Sequence, residues 1–186
     1  NGDTNLLVVN SNGTSSFFNE NDVSLVGIKA GGVKALSSTK EKIDVVSLLT
    51  YRTNERSKII ILTDEKGVRI VDSSHLIKTN RLGAKQQLFK SFKAYPQEAI
   101  YVEKSSKNNE ISTIYAILEN NALSKISLDE VKSQPIESFL KTNLEIDSPF
   151  KFIDSYTFDV ERVDETLEVV EIKKAIEVVK KDILED

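Results

Sequence analysis

The chain has 186 residues, of which 39% are apolar and 29% charged, and its formal net charge is −4. This composition is typical of a globular protein with one core. The absence of cysteine excludes disulfides and thiolate metal sites. No apolar run reaches the ~18 residues of a membrane span and no signal peptide is visible, so we expect a cytoplasmic protein.

The charge is unevenly distributed along the chain. Residues 1–152 contain 20 basic and 18 acidic residues, a balance of +2, whereas residues 153–186 contain 5 and 11, a balance of −6. Residues 52–107 alone contain 12 basic and 6 acidic residues. A basic middle beside an acidic end indicates a polyanionic partner.

Short β-branched segments, mostly bounded by Gly, Asn, Asp or Ser, follow one another up to about residue 158. Helical periodicity is weak in this part of the chain, so we predict an all-β fold. The predicted strands are 6–9, 15–18, 33–36, 44–50, 59–62, 68–71, 87–92, 99–102, 114–118, 123–126, 139–142 and 150–154.

One sequence block occurs three times, at residues 6–17, 60–71 and 115–126. Each copy has an apolar strand, a polar turn and a second strand with an apolar residue four places beyond the turn. Gly13, Gly67 and Ala122 mark the three turns at intervals of 54 and 55 residues. This is the signature of a β-hairpin. Because one hairpin cannot bury its own apolar face, the period predicts a stack of blades.

Each copy is followed by a polar stretch and further apolar strands. We therefore predict about three four-stranded repeats, near residues 5–58, 59–112 and 113–158, in a propeller-like array over residues 1–158. Three blades cannot close a ring. The chain also contains no methionine and begins with Asn1, so we expect it to be a piece of a larger protein.

Residues 159–186 have a different pattern. Apolar residues recur at alternating intervals of 3 and 4, which is the seam of an amphipathic helix. We predict one C-terminal helix over residues 163–184. Two roles stay open for it, covering the end of the β array or pairing with a helix of another chain. The seam residues are Val169, Ile172, Ile176, Val179 and Ile183.

The sequence offers no catalytic constellation. His75 is the only histidine, and we predict a surface or capping role for it. Gly31 and Gly32 belong to neither a P-loop nor a dinucleotide motif and are typical of a tight turn. The carboxylates lack the spacing of a calcium loop or a two-metal site. We predict no catalytic residue, no metal site and no cofactor.

Basic residues in the first two repeats gather after each hairpin, which would place them along one edge of adjacent blades. Such a row suits a phosphate backbone, which needs several cations at intervals and no base contact. A solvated charged surface is the alternative. The candidate DNA-binding residues are Lys29, Lys34, Lys78, Arg81, Lys85, Lys90 and Lys93.

Two runs resemble a known family. Residues 26–36 (VGIKAGGVKAL) follow the strand and turn at 7–13 (LVVNSNG) by about twenty residues, and this pair resembles the C-terminal domain of bacterial type IIA topoisomerase A subunits. Residues 81–90 (RLGAKQQLFK) with 96–100 resemble another blade of that domain. The closer match within the family is the A subunit of topoisomerase IV from a Gram-positive organism.

The resemblance implies a β-pinwheel whose basic outer edge binds and bends double-stranded DNA independently of sequence. It further implies a bacterial, nucleoid-associated protein, in which this part accompanies the rest of an A subunit and its B subunit. The whole assembly would be an ATP-dependent DNA topoisomerase, an isomerase that changes DNA topology.

Several family features are missing. The arginine- and glycine-rich box that gyrase uses for wrapping is absent, and the third repeat has few basic residues, so we expect neither full wrapping nor a DNA contact by the third blade. The family's cleavage tyrosine follows an arginine, and no tyrosine of this chain does. The resemblance therefore implies a non-catalytic fragment. A propeller-like protein-interaction scaffold is the alternative, and its binding would respond little to salt.

Overall fold

The computed structural model describes residues 2–36, 43–107 and 110–154, and these form three small antiparallel sheets. The predicted all-β fold is confirmed. The helix predicted over residues 163–184 lies outside the described residues. Two short 3-10 helices, Glu20–Asp22 and Ser73–His75, each follow the second strand of a hairpin. The strands are β1 Thr4–Asn10, β2 Thr14–Asn19, β3 Val45–Arg52, β4 Ser57–Thr63, β5 Val68–Asp72, β6 Gln86–Gln87, β7 Ala99–Ser106, β8 Thr113–Leu118, β9 Leu123–Ser127 and β10 Phe150–Asp154.

Each sheet is built on one of the three predicted hairpins. The strand orders are β3-β1-β2-β6 in the first sheet, β5-β4-β7 in the second and β10-β8-β9 in the third. The innermost pairs are Val9 with Ser15, Leu62 with Val68, and Ile117 with Leu123, so the three loops have the same length. A later strand, β3, β7 or β10, then pairs antiparallel with the first strand of its hairpin.

The three hairpin turns have equivalent structures. Their equivalent residues differ by one position, in the second and third turns, from those that the sequence pattern aligned. Gly13, Lys66 and Asn121 have φ values of 79°, 59° and 61°, and the N–H of each donates to the carbonyl three residues earlier. The residues equivalent to Gly13 are therefore Lys66 and Asn121, and not Gly67 and Ala122. Gly67 instead provides space, because a Cβ there would lie 2.6 Å from Oε1 of Gln97.

The outer strand of a hairpin is crossed by a segment that comes from later in the chain. On β2, Thr14 pairs with Gln87 of β6, and Phe17 forms a parallel bridge with Lys78. On β5, Ile70 forms the corresponding parallel bridge with Ser133. We call residues 78–93 the first crossing segment and residues 133–148 the second crossing segment. Each of them joins a hairpin to the repeat that follows it.

Three predicted strands are wrong, two of them for a shared reason. Residues 33–36 form no strand, the strand predicted at 87–92 is reduced to Gln86–Gln87, and 139–142 contributes only a bridge at Phe139. In the crossing segments the apolar residues fill space beneath hairpin turns instead of lining a sheet. Phe89 packs against Gly13, and Leu140 against Gly67. Burial of this kind gives strand-like composition without a ladder.

Two apolar layers hold the sheets together. Leu7 and Val9 of the first sheet pack with Ile59 and Ile61 of the second. Ile60 and Leu62, on the opposite face of β4, pack against the third sheet. The unbroken run Ile59–Leu62 is thus explained, because β4 is buried on both faces.

The far face of the third sheet is uncovered among the described residues. Ile117, Leu123 and Phe152 lie side by side across its three strands and are 39%, 71% and 58% exposed. We call these three residues the outer apolar row. Leu62 and Val68 hold the equivalent hairpin positions in the second sheet and are fully buried.

Candidate nucleic-acid interface

The first crossing segment brings two distant loops together through Arg81. The guanidinium donates from Nε to the carbonyl of Asp22 at 2.9 Å and from Nη1 to the carbonyl of Lys34. The local path is fixed by the N–H of Thr79, which donates to the carbonyl of Phe17 at 2.8 Å, and by a turn at Gly83. Lys34 is thereby placed beside the first crossing segment, 47 residues from Arg81 in sequence.

The structure places the seven predicted residues in two groups. Lys29, Lys34 and Lys78 are exposed, and Arg81 and Lys85 are half-buried, on and beside the loop that Arg81 stabilises. Lys90 and Lys93 are exposed further along the same crossing segment. Arg81 is therefore a structural link as well as a cation, and the exposed lysines are the better candidates for phosphate contacts.

Lys90 is partly neutralised by an acidic neighbour. Its Nζ lies 3.7 Å from Oε2 of Glu137, and the two side chains are 46% and 53% exposed. Ion pairs that are this long and this exposed contribute little to stability. A phosphate oxygen could therefore take the place of the Glu137 carboxylate at small cost.

The two crossing segments follow equivalent paths but carry opposite charge. Just as Thr79 donates to Phe17 on the first, the N–H of Gln134 donates to the carbonyl of Ile70 at 2.9 Å on the second. The first segment contains five basic and no acidic residues, namely Lys78, Arg81, Lys85, Lys90 and Lys93. The second contains one basic and three acidic residues, namely Lys141, Glu137, Glu145 and Asp147. Of the two segments, only the first therefore has a net positive charge.

A second basic cluster was missed in the sequence analysis. An open cleft of about 860 Å³ between the ends of β3 and β7 is lined by Arg52, Arg56, Lys104 and Lys107. Lys104 is largely satisfied there, because its Nζ lies 2.7 Å from Oε1 of Glu55 and 2.6 Å from the carbonyl of Thr50. The only sequence signal was the basic excess over residues 52–107, which does not say that residues 50 apart meet.

The pKa of Glu55 is shifted by the same contacts. Burial raises the pKa of Glu55, but the hydrogen bond from Lys104 and the backbone N–H of Arg52 outweigh that effect, so the pKa lies below its usual range. The carboxylate is thus held in its charged form and pairs with Lys104, while Arg52, Arg56 and Lys107 also line the cleft.

The histidine and the carboxylates of the described residues do not form a metal-binding group. His75 is exposed in the short helix that Asp72 caps. Across residues 2–36, 43–107 and 110–154, no three His, Cys, Asp or Glu side chains are grouped so that they could hold a metal ion. No helix in that part of the chain is long and apolar enough to cross a membrane.

The sheet architecture, with hairpins crossed by segments of the following repeat, defines a β-pinwheel. The chain is similar to the C-terminal domain of DNA topoisomerase IV, with a TM-score of 0.70 and 22% identity over 84% of this chain and 47% of that one. It is also similar to the C-terminal domain of DNA gyrase A, with a TM-score of 0.62 and 18% identity over 84% and 50%. No family model and no curated protein matches the chain.

These likenesses confirm the resemblance predicted from residues 7–36 and 81–100 at the level of the fold. The chain spans about half the length of the two solved chains that it matches. The Gram-positive assignment stays a prediction.

Proposed function

We propose that this chain is a non-catalytic, DNA-binding part of a type IIA topoisomerase, of the kind found in the A subunit of topoisomerase IV. It would hold and bend a duplex on the first crossing segment for a cleavage gate elsewhere in the protein. One observation carries the proposal: two equivalent crossing segments differ in charge, five basic and no acidic residues against one and three. Lysine contacts to phosphates position DNA without reading its sequence.

The proposed partners follow from this role. They are double-stranded DNA, the rest of the A subunit and the B subunit, in the bacterial cytoplasm beside the nucleoid. The ATP-dependent isomerase activity would belong to the whole assembly, and this part would only influence which DNA crossings reach the gate.

The test is the salt dependence of duplex binding. Lys34 and Lys78 lie beside the Arg81 link, and Lys93 lies further along the first crossing segment. All three are exposed, so replacing them with Ala should leave the fold intact. Each lost phosphate contact reduces the slope of log K against log salt by about 0.9, so we expect a reduction of about 2.7. The loss should be the same for unrelated duplex sequences.

A matched control removes the same charge elsewhere. Lys125, Lys132 and Lys151 are exposed in the third repeat, and their replacement with Ala changes the net charge equally. We expect a slope close to that of the unmodified chain. Equal losses in the two triple variants would mean that only net charge matters, and an unchanged slope in the first variant would contradict the proposed DNA surface.

One observation favours a second candidate function, a protein-docking scaffold. The outer apolar row leaves three large side chains exposed on one sheet face, and such patches often mark protein contacts. Binding there would be insensitive to salt, and Leu123→Asp would abolish it without changing DNA affinity. A complex with the isolated B subunit that survives high salt and is lost in this variant would support the scaffold.

A further inference from the structure

The junction of the two crossing segments carries an exposed aromatic stack. The rings of Phe92 and Phe139 lie 4.5 Å apart at an angle of 23°. They are brought together by backbone contacts, since Lys90 accepts at its carbonyl from the N–H of Leu140 and donates its own N–H to the carbonyl of Ser138. The backbone on both sides is thus fixed, and the stack does not depend on a mobile loop.

The position of Phe139 is unusual for a ring of its size. It is 51% exposed, whereas the next residue, Leu140, is 1% exposed and completes the core. The face of the stack opens on a shallow cleft of about 520 Å³ that is lined by Gln87, Lys90, Ser91, Phe92, Lys93 and Phe139. The core therefore does not require the ring at 139, and the cleft gives a planar group access to it.

The charges around the stack indicate what that group is. Lys90 and Lys93 lie at the rim, and the acidic neighbour is Glu137, which pairs only weakly with Lys90. A flat apolar floor beside two cations matches a base with its flanking phosphates. The stack also lies at the end of the basic segment on which a duplex would run. Apolar side chains placed in this way open a base step and kink the duplex.

We propose that Phe139, supported by Phe92, is a wedge that stacks on an opened base step of the bound duplex, while Lys90 and Lys93 hold the adjacent phosphates. This inference rests on the proposed function, because the duplex reaches the wedge along the first crossing segment. Phe139 belongs to the third repeat, so the inference departs from the sequence-based expectation that this repeat makes no DNA contact. It adds the bending residue and a preference for flexible steps. Pyrimidine–purine steps such as TA unstack most easily and are the expected site.

The experiment compares Phe139→Ala with Phe152→Ala in the full 186-residue chain. Phe152 is a suitable control because it is similarly exposed, at 58%, but lies in the outer apolar row. The probe is a 30-base-pair duplex with fluorophores at its ends and 2-aminopurine at a central TA step; a second duplex has a stiff A-tract in that place. Energy transfer between the ends reports bending, and 2-aminopurine fluorescence reports unstacking.

We expect Phe139→Ala to weaken binding to the TA duplex by about 5- to 100-fold, as loss of one stacked base does. Bending and the 2-aminopurine signal should be lost with it, while the salt slope stays unchanged because no cation is removed. The preference for the TA duplex over the A-tract duplex should disappear. Phe152→Ala should behave as the unmodified chain does.

Two results would overturn the inference: a Phe139→Ala chain that bends DNA as before, or equal losses in both phenylalanine variants. If Phe139→Ala does not fold, Phe139→Gln keeps a long side chain at this 51% exposed position but is no apolar wedge, so it should still lose the 2-aminopurine signal, and a retained signal would count against the wedge. Failure here is distinguishable from failure of the proposed function. If the lysine triple variant reduces the salt slope but Phe139→Ala bends DNA normally, only the wedge proposal is refuted and the proposed function stands.

Discussion

Arg69 offers the sharpest test of how the crossing segments are held. Its side chain is fully buried in β5, and its acceptors among the described residues are all uncharged. They include the carbonyls of Leu88 at 3.1 Å and Ser138 at 2.9 Å and the side-chain oxygen of Gln134 at 2.8 Å. One guanidinium therefore connects β5 to both crossing segments. Burial lowers the pKa of Arg69. The hydrogen bonds offset part of the cost of burying its charge.

The loss of stability can be derived from the acceptors that a substitution of Arg69 leaves without a donor. Arg69→Met retains the apolar stem but leaves the Leu88 and Ser138 carbonyls without this donor, at about 1–3 kcal/mol each. Relief of the buried charge offsets part of that loss, so we expect a net destabilisation of about 2–4 kcal/mol. For a domain of this size the melting temperature should fall by about 5–15 °C.

Arg69→Lys is a stricter test of the role of the guanidinium. A lysine keeps the charge, but its compact ammonium cannot span the acceptors that the planar guanidinium reaches from two separate nitrogens. It should therefore be more destabilising than methionine despite its closer chemistry. Urea unfolding followed by circular dichroism gives both free energies. Arg52→Met is the control, since Arg52 is exposed and its loss should change stability by less than about 0.5 kcal/mol. A nearly unchanged Arg69→Lys chain would refute the role assigned to the guanidinium.

Two further predictions concern pH and the acidic end. Because the pKa of Glu55 is lowered in the folded chain, its contribution to stability is present above its usual value of 4.5 and is lost as the pH falls through the folded pKa. Unfolding curves of Glu55→Gln should thus show a deficit at pH 7 that closes under acid, and a constant deficit would contradict the shift. A chain ending at Asp159 lacks nine acidic and five basic residues and should bind DNA as well or better at low salt; distinctly weaker binding by this folded chain would place the removed segment in the DNA site.

The hairpins could be predicted because their information is local. In each of them an apolar strand, a polar turn and a second strand are contiguous, and the loops between Val9 and Ser15, Leu62 and Val68, and Ile117 and Leu123 have one length. The turns cannot be aligned on glycine, because Lys66 and Asn121 adopt the positive φ that Gly13 has in the first turn. A residue other than glycine can take this conformation at a cost that the sequence does not reveal.

The crossing segments could not be predicted, because their partners are distant in sequence. Thr14 pairs with Gln87, and Arg69 contacts Ser138, over separations that no local pattern encodes. The same holds for Arg81. It was selected from the sequence as a phosphate ligand, yet its guanidinium hydrogen-bonds the backbone at Asp22 and Lys34. Charge density predicted the region of the candidate site, but not which cations the fold itself uses.

The two crossing segments show which of their features the fold requires: the backbone path is common to both, but the charge of the side chains is not. Both follow the same backbone path over a hairpin, through Thr79 on Phe17 and Gln134 on Ile70, so the path requires neither positive nor negative side chains. The exposed lysines of the first segment, Lys78, Lys90 and Lys93, are therefore not required for this backbone path. Glu137, at the start of the acidic segment, meets Lys90 where the basic segment ends. A duplex attracted along the lysines would encounter repulsion beyond this point, which places the proposed kink at Phe139 on the boundary between the two charges.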